Sequence, residues 1–439
     1  MSRGWSYARS IASRALNISR LVISRSVSTD VKLSVVLLGS RSVSRVGRWC
    51  ETTRRAEVRL VPDAALDAAI TNADTILREV GIQVIEDEPT LELVVAAGAT
   101  VARDTVDPTS GRVRWSLGAL LEIAGTAPER FVQHGRSAAQ DVVIGRDDPI
   151  VFTPVYGPPN VIDDGGAHRI ATIADYRQLV QLADAAPAIG NTGHMLCVPS
   201  DVPEPERYFE MARAHLATSG KPFMGSTASD VSTTAVIDLV RGAWGAAPLA
   251  DGPGCRLLHL CNSIPPLTWR GRMLGVLRAA ATADEGCVVA SFQMLGASGP
   301  ASVLGALSQG VAESLFGTAL TQLHTPGTPA VFGIYAMPFD MRAMVPRFGD
   351  PISQFVQSGS VQLARRFRLP ALAYGGLTSS KIDDAQAGVE AAMGLRTAID
   401  VGADFVLHAT GWLENGRTTG FAKFRREAAA LEREAAVCG

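Results

Sequence analysis

The residues of this chain that could act on a small molecule are aromatic and amide side chains, not strong acids, bases or nucleophiles. Tyr156, Phe223, Phe292, Tyr335, Phe339, Tyr374 and Trp412 each lie in, or just beyond, the end of a short apolar or β-branched run. Asn262, Gln293, Asp340, Arg342 and His408 occupy the same kind of position. The face of an aromatic ring attracts a cation, and a quaternary ammonium gains roughly 0.5–2 kcal/mol per ring once water is excluded. Any single ring reads equally well as core packing, so only the cluster is informative. His408 has no second or third histidine placed to complete a metal set, and no metal is expected. The sequence shows neither a Cys–His nucleophile signature nor a strand-end lysine for a Schiff base. Lys381, just past Tyr374, reads as a helix-surface or capping residue.

A regular alternation positions these residues. From Val151 onward, strand-like runs at 151–156, 188–196, 221–225, 255–261, 286–292, 330–335, 371–374 and 404–408 alternate with helical patterns. The helical patterns cover 172–185, 203–218, 229–244, 269–283, 300–324, 353–369, 383–401 and 413–435. Each crossover returns the chain to the same end, which demands a parallel sheet. Eight such units close into an α/β fold of the (β/α)8 TIM-barrel kind over 151–439, with its chemistry at the carboxyl ends of the strands. An open doubly wound sheet is disfavoured, because no G-x-G-x-x-G turn follows the first run. Ahead of the barrel, Ala64, Leu66, Ile70, Ala73, Ile76 and Leu77 recur at helical spacing and stop at Gly81. A strand at 82–85, a helix at 91–97 and an extended stretch at 113–117 complete a small N-terminal α+β cap over 56–150.

Residues 1–55 are set apart. They hold eleven Lys and Arg and twelve Ser against Asp30 and Glu51 alone. That composition fits an organellar leader, an unstructured extension, or upstream sequence read through from an early start, and the segment is excluded from the fold. Its removal is expected to leave the melting temperature nearly unchanged. The rest of the chain is acidic and has no basic cluster, which argues against nucleic acid as a partner. No stretch is apolar enough to span a bilayer. The six cysteines form no C-x-x-C pair and read as free thiols in a reducing cytoplasm.

Several long, ordered segments carry a resemblance: FQMLGASGPASVLGALSQGVAESLFGTALTQLHTPGTPAVFGIYAMPFDMR (292–342), GGLTSSKIDDAQAG (375–388) and GADFVLHATGWLENG (402–416). With PPNVIDDGGAHRIATIADYRQLVQLADA (158–185) and KPFMGSTAS (221–229), the chain resembles the trimethylamine methyltransferase family over about residues 60–430. The resemblance implies a (β/α)8 barrel that moves a methyl group from a methylated amine to the cobalt of a separate corrinoid (cobalamin-bearing) protein. No pyrrolysine is present, so the likeness is to the non-pyrrolysine branch, whose substrates are quaternary amines such as glycine betaine. Family chains continue for several tens of residues after the GWLENG motif and its helix, so the C-terminal tail reads as truncated at Gly439.

On this reading Tyr156, Phe292, Tyr335, Phe339, Tyr374 and Trp412 surround the substrate, and Asn262, Gln293 and Arg342 pair with any substrate carboxylate. Asp340 balances the ammonium charge, or else bridges Arg342 or caps its own loop. His408 orders the substrate or meets the corrinoid, or else is a satisfied interior histidine. Glu313 lies mid-helix and reads as structural, Glu414 matches a family-like motif, and Asp383, Asp384 and Gln386 cap the seventh helix. Two other functions stay open: a non-catalytic methylated-amine-binding protein, and an unrelated lyase or aldolase barrel binding phosphate on the Gly375–Gly376 turn. A homo-oligomer is left open.

Overall fold

Strands whose two faces are both covered need no polar alternation, and the runs at 286–292 and 330–335 are apolar almost throughout. In the computed structural model, which describes residues 58–204, 206–246 and 252–438, these runs form the longest strands of a parallel barrel. Residues 1–55, with the expectation attached to them, lie outside the described residues. The barrel strands are β1 (Val151–Phe152), β2 (Phe223–Met224), β3 (Leu257–Asn262), β4 (Gly286–Leu295), β5 (Ala330–Asp340), β6 (Leu372–Tyr374) and β7 (Phe405–Leu407).

The ring closes bond by bond. β2, β3, β4 and β5 are neighbours in parallel register, with Leu257 opposite Phe223, Leu258 opposite Gly286 and Cys287 opposite Ala330. A parallel bridge between Phe332 and Ala371 joins β5 to β6, and β6–β7–β1 continue in parallel. The eighth position is the extended segment 189–193, which is not a regular strand. It bridges Phe152 through Ile189, and it reaches β2 through Thr192 N–H to Pro222 O (2.9 Å) and Met224 N–H to Gly193 O (3.0 Å).

Helices α1 (Ile173–Ala185), α2 (Glu206–Thr218), α3 (Asp230–Trp244), α4 (Gly271–Thr282), α5 (Val303–His324), α6 (Pro351–Arg366), α7 (Ala385–Asp400) and α8 (Phe421–Cys438) fill the crossovers. Side-chain caps fix where several begin. Thr172 and Ser229 form capping boxes, Ser302 accepts from Gly305 N–H, Asp350 precedes a first-turn Pro351, and Asp384 accepts from Ala387 N–H. Asp384 is thus the cap foreseen for the seventh helix. The eighth helix begins later than its sequence pattern suggested. Residues 412–420 instead form a small hairpin that adds to the Asn160–Ile162 strand through Thr418–Gly420.

The lumen is a core, not a pore. Val288, Ala290, Val331, Leu372, Phe405 and Leu407 pack within it, and Phe131 and Ile144 of an N-terminal hairpin join them. The cap helix Asp63–Thr75 packs on α5, so α5 is buried on nearly every face, and its sequence is accordingly mostly apolar or small, with Gln309, Glu313 and Gln322 as buried polar exceptions. At the foot of the barrel the Arg365 guanidinium grips Asp404 with two bonds, 2.6 and 2.7 Å, while Asp404 also accepts from Ala371 N–H at 2.6 Å. That fork ties β6, β7 and α6 together.

Candidate active site

Parity decides which side chains reach the mouth. On β4, Val288, Ala290, Phe292 and Met294 face the lumen, and Phe292 stands in register with Tyr335 on β5. Their rings lie 5.4 Å apart between centroids. Tyr374, the last residue of β6, packs 4.5 Å from Tyr335 and 6.3 Å from Phe292. Trp412, beyond β7, is held by its indole N–H, which donates to Thr378 O at 3.1 Å. Gly416 turns at φ +82° against that indole, where an added Cβ would stand 2.5 Å from the ring.

His408 completes the wall through an uncommon backbone. Phe405 and Leu407 face the lumen, so plain alternation would send His408 toward the helices. Its φ of +59° turns it instead to stack on Tyr374 (5.8 Å) and meet Trp412 (4.5 Å). A non-glycine residue in that region costs roughly 1–3 kcal/mol, so the surrounding contacts must hold it. The Tyr156 N–H donates to His408 Nδ1 (3.1 Å), which leaves the proton of the neutral ring on Nε2. Burial lowers the His408 pKa to about 3. A histidine-selective NMR titration is expected to show no His408 protonation between pH 8 and about 5; a midpoint near 6.5 would contradict this.

The structure brings Phe292, Tyr335, Tyr374, His408 and Trp412 into one ring-lined wall, with Tyr156 tied to it through His408. Tyr156 also shares a hydrogen bond with Thr227 Oγ1 at 2.9 Å. Phe348, which sequence reasoning passed over, belongs to the same wall, 5.1 Å from Trp412 and 6.1 Å from Phe292. It sits in a loop just before the Asp350 cap, and no strand-end rule points there. Asn262 ends β3, and its Oδ1 is buried without a hydrogen-bond partner among the described residues. Burial pushes the Tyr335 and Tyr374 phenols far above their ordinary pKa, so the wall is uncharged. Stacked, neutral rings with a free amide acceptor can hold a cation without a counter-carboxylate at contact.

Other candidates lie elsewhere. β5 runs on past the wall and folds back antiparallel onto Val345–Pro346, carrying Phe339 opposite Pro346. Asp340 caps that turn: the Ala343 and Arg342 amides donate to it, at 3.0 and 2.9 Å, and hold its carboxyl below the usual carboxylate range. Arg342 is exposed. Gln293 has the opposite parity to Phe292, and its amide donates to Ser291 Oγ and Ala306 O, both at 3.0 Å. Lys381 is exposed in the loop before α7 and, with His168, Asp383 and Glu414, lines a shallow groove of about 490 Å³. Glu414 accepts from Thr418 Oγ1 (2.7 Å) and contacts His168. The Gly375 and Gly376 amides donate to Leu407 O and His408 O, at 2.8 and 2.7 Å, so that turn offers them to no phosphate. Among the described residues no group of His, Cys, Asp and Glu could hold a metal ion.

The family model described as trimethylamine methyltransferase (MTTB) matches residues 40–438. The glycine betaine methyltransferase of Desulfitobacterium hafniense (strain Y51) is 36% identical over 353 residues, covering 80% of this chain and 72% of that protein. The proline betaine:corrinoid methyltransferase of Eubacterium limosum is 27% identical over 364 residues, covering 80% of this chain and 71% of its own length. Among solved structures, the Methanosarcina barkeri monomethylamine methyltransferase (MtmB) is similar at a TM-score of 0.44 and 12% identity, over 85% of this chain and 80% of that one. The family match runs across the entire barrel and its cap, and with a relative at 36% identity beside it, this chain belongs to the trimethylamine methyltransferase family.

Proposed function

We propose that this chain is an enzyme that transfers a methyl group from a quaternary amine of the betaine type to the cobalt of a corrinoid carried by a separate protein. The observation that carries the reading is the uncharged aromatic wall at the mouth, in a family whose relatives act on betaines. A quaternary nitrogen already bears the positive charge that makes a neutral tertiary amine a fair leaving group, so positioning supplies most of the catalysis. No pyrrolysine adduct is needed for such a substrate. The reduced cobalt of the corrinoid, when bound, supplies the electron pair that accepts the methyl group.

The residues of this chain bind and orient. Phe292, Tyr335, Phe348, Tyr374 and Trp412 present ring faces to the trimethylammonium group. Asn262 Oδ1, free of any partner among the described residues, meets the polarised methyl C–H groups. His408 Nε2–H, fixed by the Tyr156 amide on the other nitrogen, donates to the substrate carboxylate. The surrounding rim fits a partner protein: Met341, Met344 and Ile382 expose apolar side chains on the loops beside the mouth, 63%, 66% and 60% accessible. No helix of the described residues is long and apolar enough to cross a membrane, and Cys197, Cys255, Cys261 and Cys287 are buried free thiols.

The test is an ultraviolet–visible assay of methylcobalamin formation from cob(I)alamin with a panel of methylated amines. Betaines are expected to be active, and trimethylamine much less so. Binding of a betaine without any methyl transfer would leave a binding protein as the better reading.

A further inference from the structure

α5 carries a buried carboxylate that has no cationic partner among the described residues, one residue away from the wall on two strands. Glu313 Oε2 accepts from Ser263 Oγ (2.5 Å) and Ser291 Oγ (2.6 Å). Its Oε1 accepts from Leu267 N–H (2.7 Å) and Gln309 Nε2–H (2.9 Å). Ser263 follows Asn262, and Ser291 precedes Phe292. The Gln293 amide donates to Ser291 Oγ, which leaves the Ser291 proton available to Glu313. All four partners are uncharged donors, which is the arrangement of an ionised carboxylate. Burial pushes the Glu313 carboxyl upward, and the four hydrogen bonds it accepts oppose that shift. An ion pair would have been the usual compensation for a charge so buried, and none of its hydrogen-bonding partners supplies one.

We infer that Glu313, set behind the barrel wall, is the counter-charge for the substrate's quaternary ammonium and the residue that positions Asn262 and Phe292 for it. The inference rests on the betaine-type reading above. The wall contributes ring faces and a neutral amide but no charge at contact, while a carboxylate behind it acts across one strand thickness. Because Ser263 and Ser291 sit next to wall residues of opposite parity, the two serine bonds help fix where Asn262 and Phe292 stand. A cation seated at the wall in turn offsets the cost of keeping Glu313 charged. A substrate that lacks the positive charge gains nothing from it.

The experiment compares glycine betaine with 3,3-dimethylbutanoate, its isostere with carbon in place of nitrogen, by calorimetry on the full chain. Glu313→Gln is expected to weaken betaine binding by roughly three- to tenfold, the effect of losing one charge screened by a moderate dielectric. Because the amide can accept on one side only, the isostere should also weaken in the variant, but by a clearly smaller factor than betaine. Equal weakening of both ligands would show a purely structural role and overturn the inference. Glu313→Asp keeps the charge and shortens the reach, so both ligands should weaken while the preference for betaine persists. Loss of that preference in the Asp variant would also overturn it, whether or not the Gln variant folds. Failure of the wild type to bind betaine at all would instead sink the substrate reading on which the inference stands.

Discussion

Trp412→Leu is expected to weaken binding of a betaine-type substrate by about two- to thirtyfold, roughly 0.5–2 kcal/mol. The indole meets His408 at 4.5 Å and Phe348 at 5.1 Å, and its N–H to Thr378 O pins it across two loops. Leucine keeps much of the apolar bulk but has no ring quadrupole, so the loss should fall on the cation. The carbon isostere is the control. Calorimetry should show its affinity changing far less than that of glycine betaine. If both ligands weaken alike, the indole is only packing, and the wall must be redrawn around Tyr335 and Tyr374. Phe348→Leu should act in the same direction, which would place a residue absent from the sequence reading in the substrate site.

Lys423→Met is expected to cost about 3–5 kcal/mol of stability, because it leaves a buried carboxylate without its cation. Lys423 is fully buried in an ion pair with Glu427 one turn along α8, and Glu427 also accepts from Gly411 N–H at 2.7 Å. The pair therefore anchors the loop that presents Trp412. Burial already pushes the Glu427 carboxyl upward, and removing the lysine pushes it further. A carboxyl whose folded pKa is raised takes up a proton more readily in the folded state than in the unfolded one, so stability falls as pH rises through that folded pKa. The loss in melting temperature should accordingly be larger at pH 8 than at pH 5. Adding Glu427→Gln removes the stranded charge while keeping an acceptor for Gly411, and should recover most of the loss. A loss independent of pH and unchanged in the double variant would mean that Lys423 acts through packing alone.

The amino-acid sequence by itself determined the barrel. Eight apolar runs alternating with eight amphipathic ones leave parallel closure as the way to bury every strand on both faces, and helix starts follow from Thr172, Ser229, Asp350 and Asp384. It also marked Phe292, Tyr335, Tyr374 and Trp412, because strand-end position alone brings aromatics to the mouth. Tertiary structure decided the rest. Gln293 and Phe292 are adjacent, one buried and one half-buried, and nothing in an apolar strand covered on both faces says which one points inward; register with β5 settles it. Phe339, Asp340 and Arg342 leave the wall because β5 continues and folds back on Val345–Pro346, a pairing between segments whose local patterns do not announce it. Residues 412–420 form a hairpin rather than the start of a helix because Thr418–Gly420 finds a partner in Asn160–Ile162, more than 250 residues earlier. His408 reaches the rings only through a left-handed backbone, held by the Tyr156 amide and by stacking from Tyr374 and Trp412. Local sequence sets which conformations are cheap, whereas contacts distant in the chain select the costly ones, and several of those shape this site.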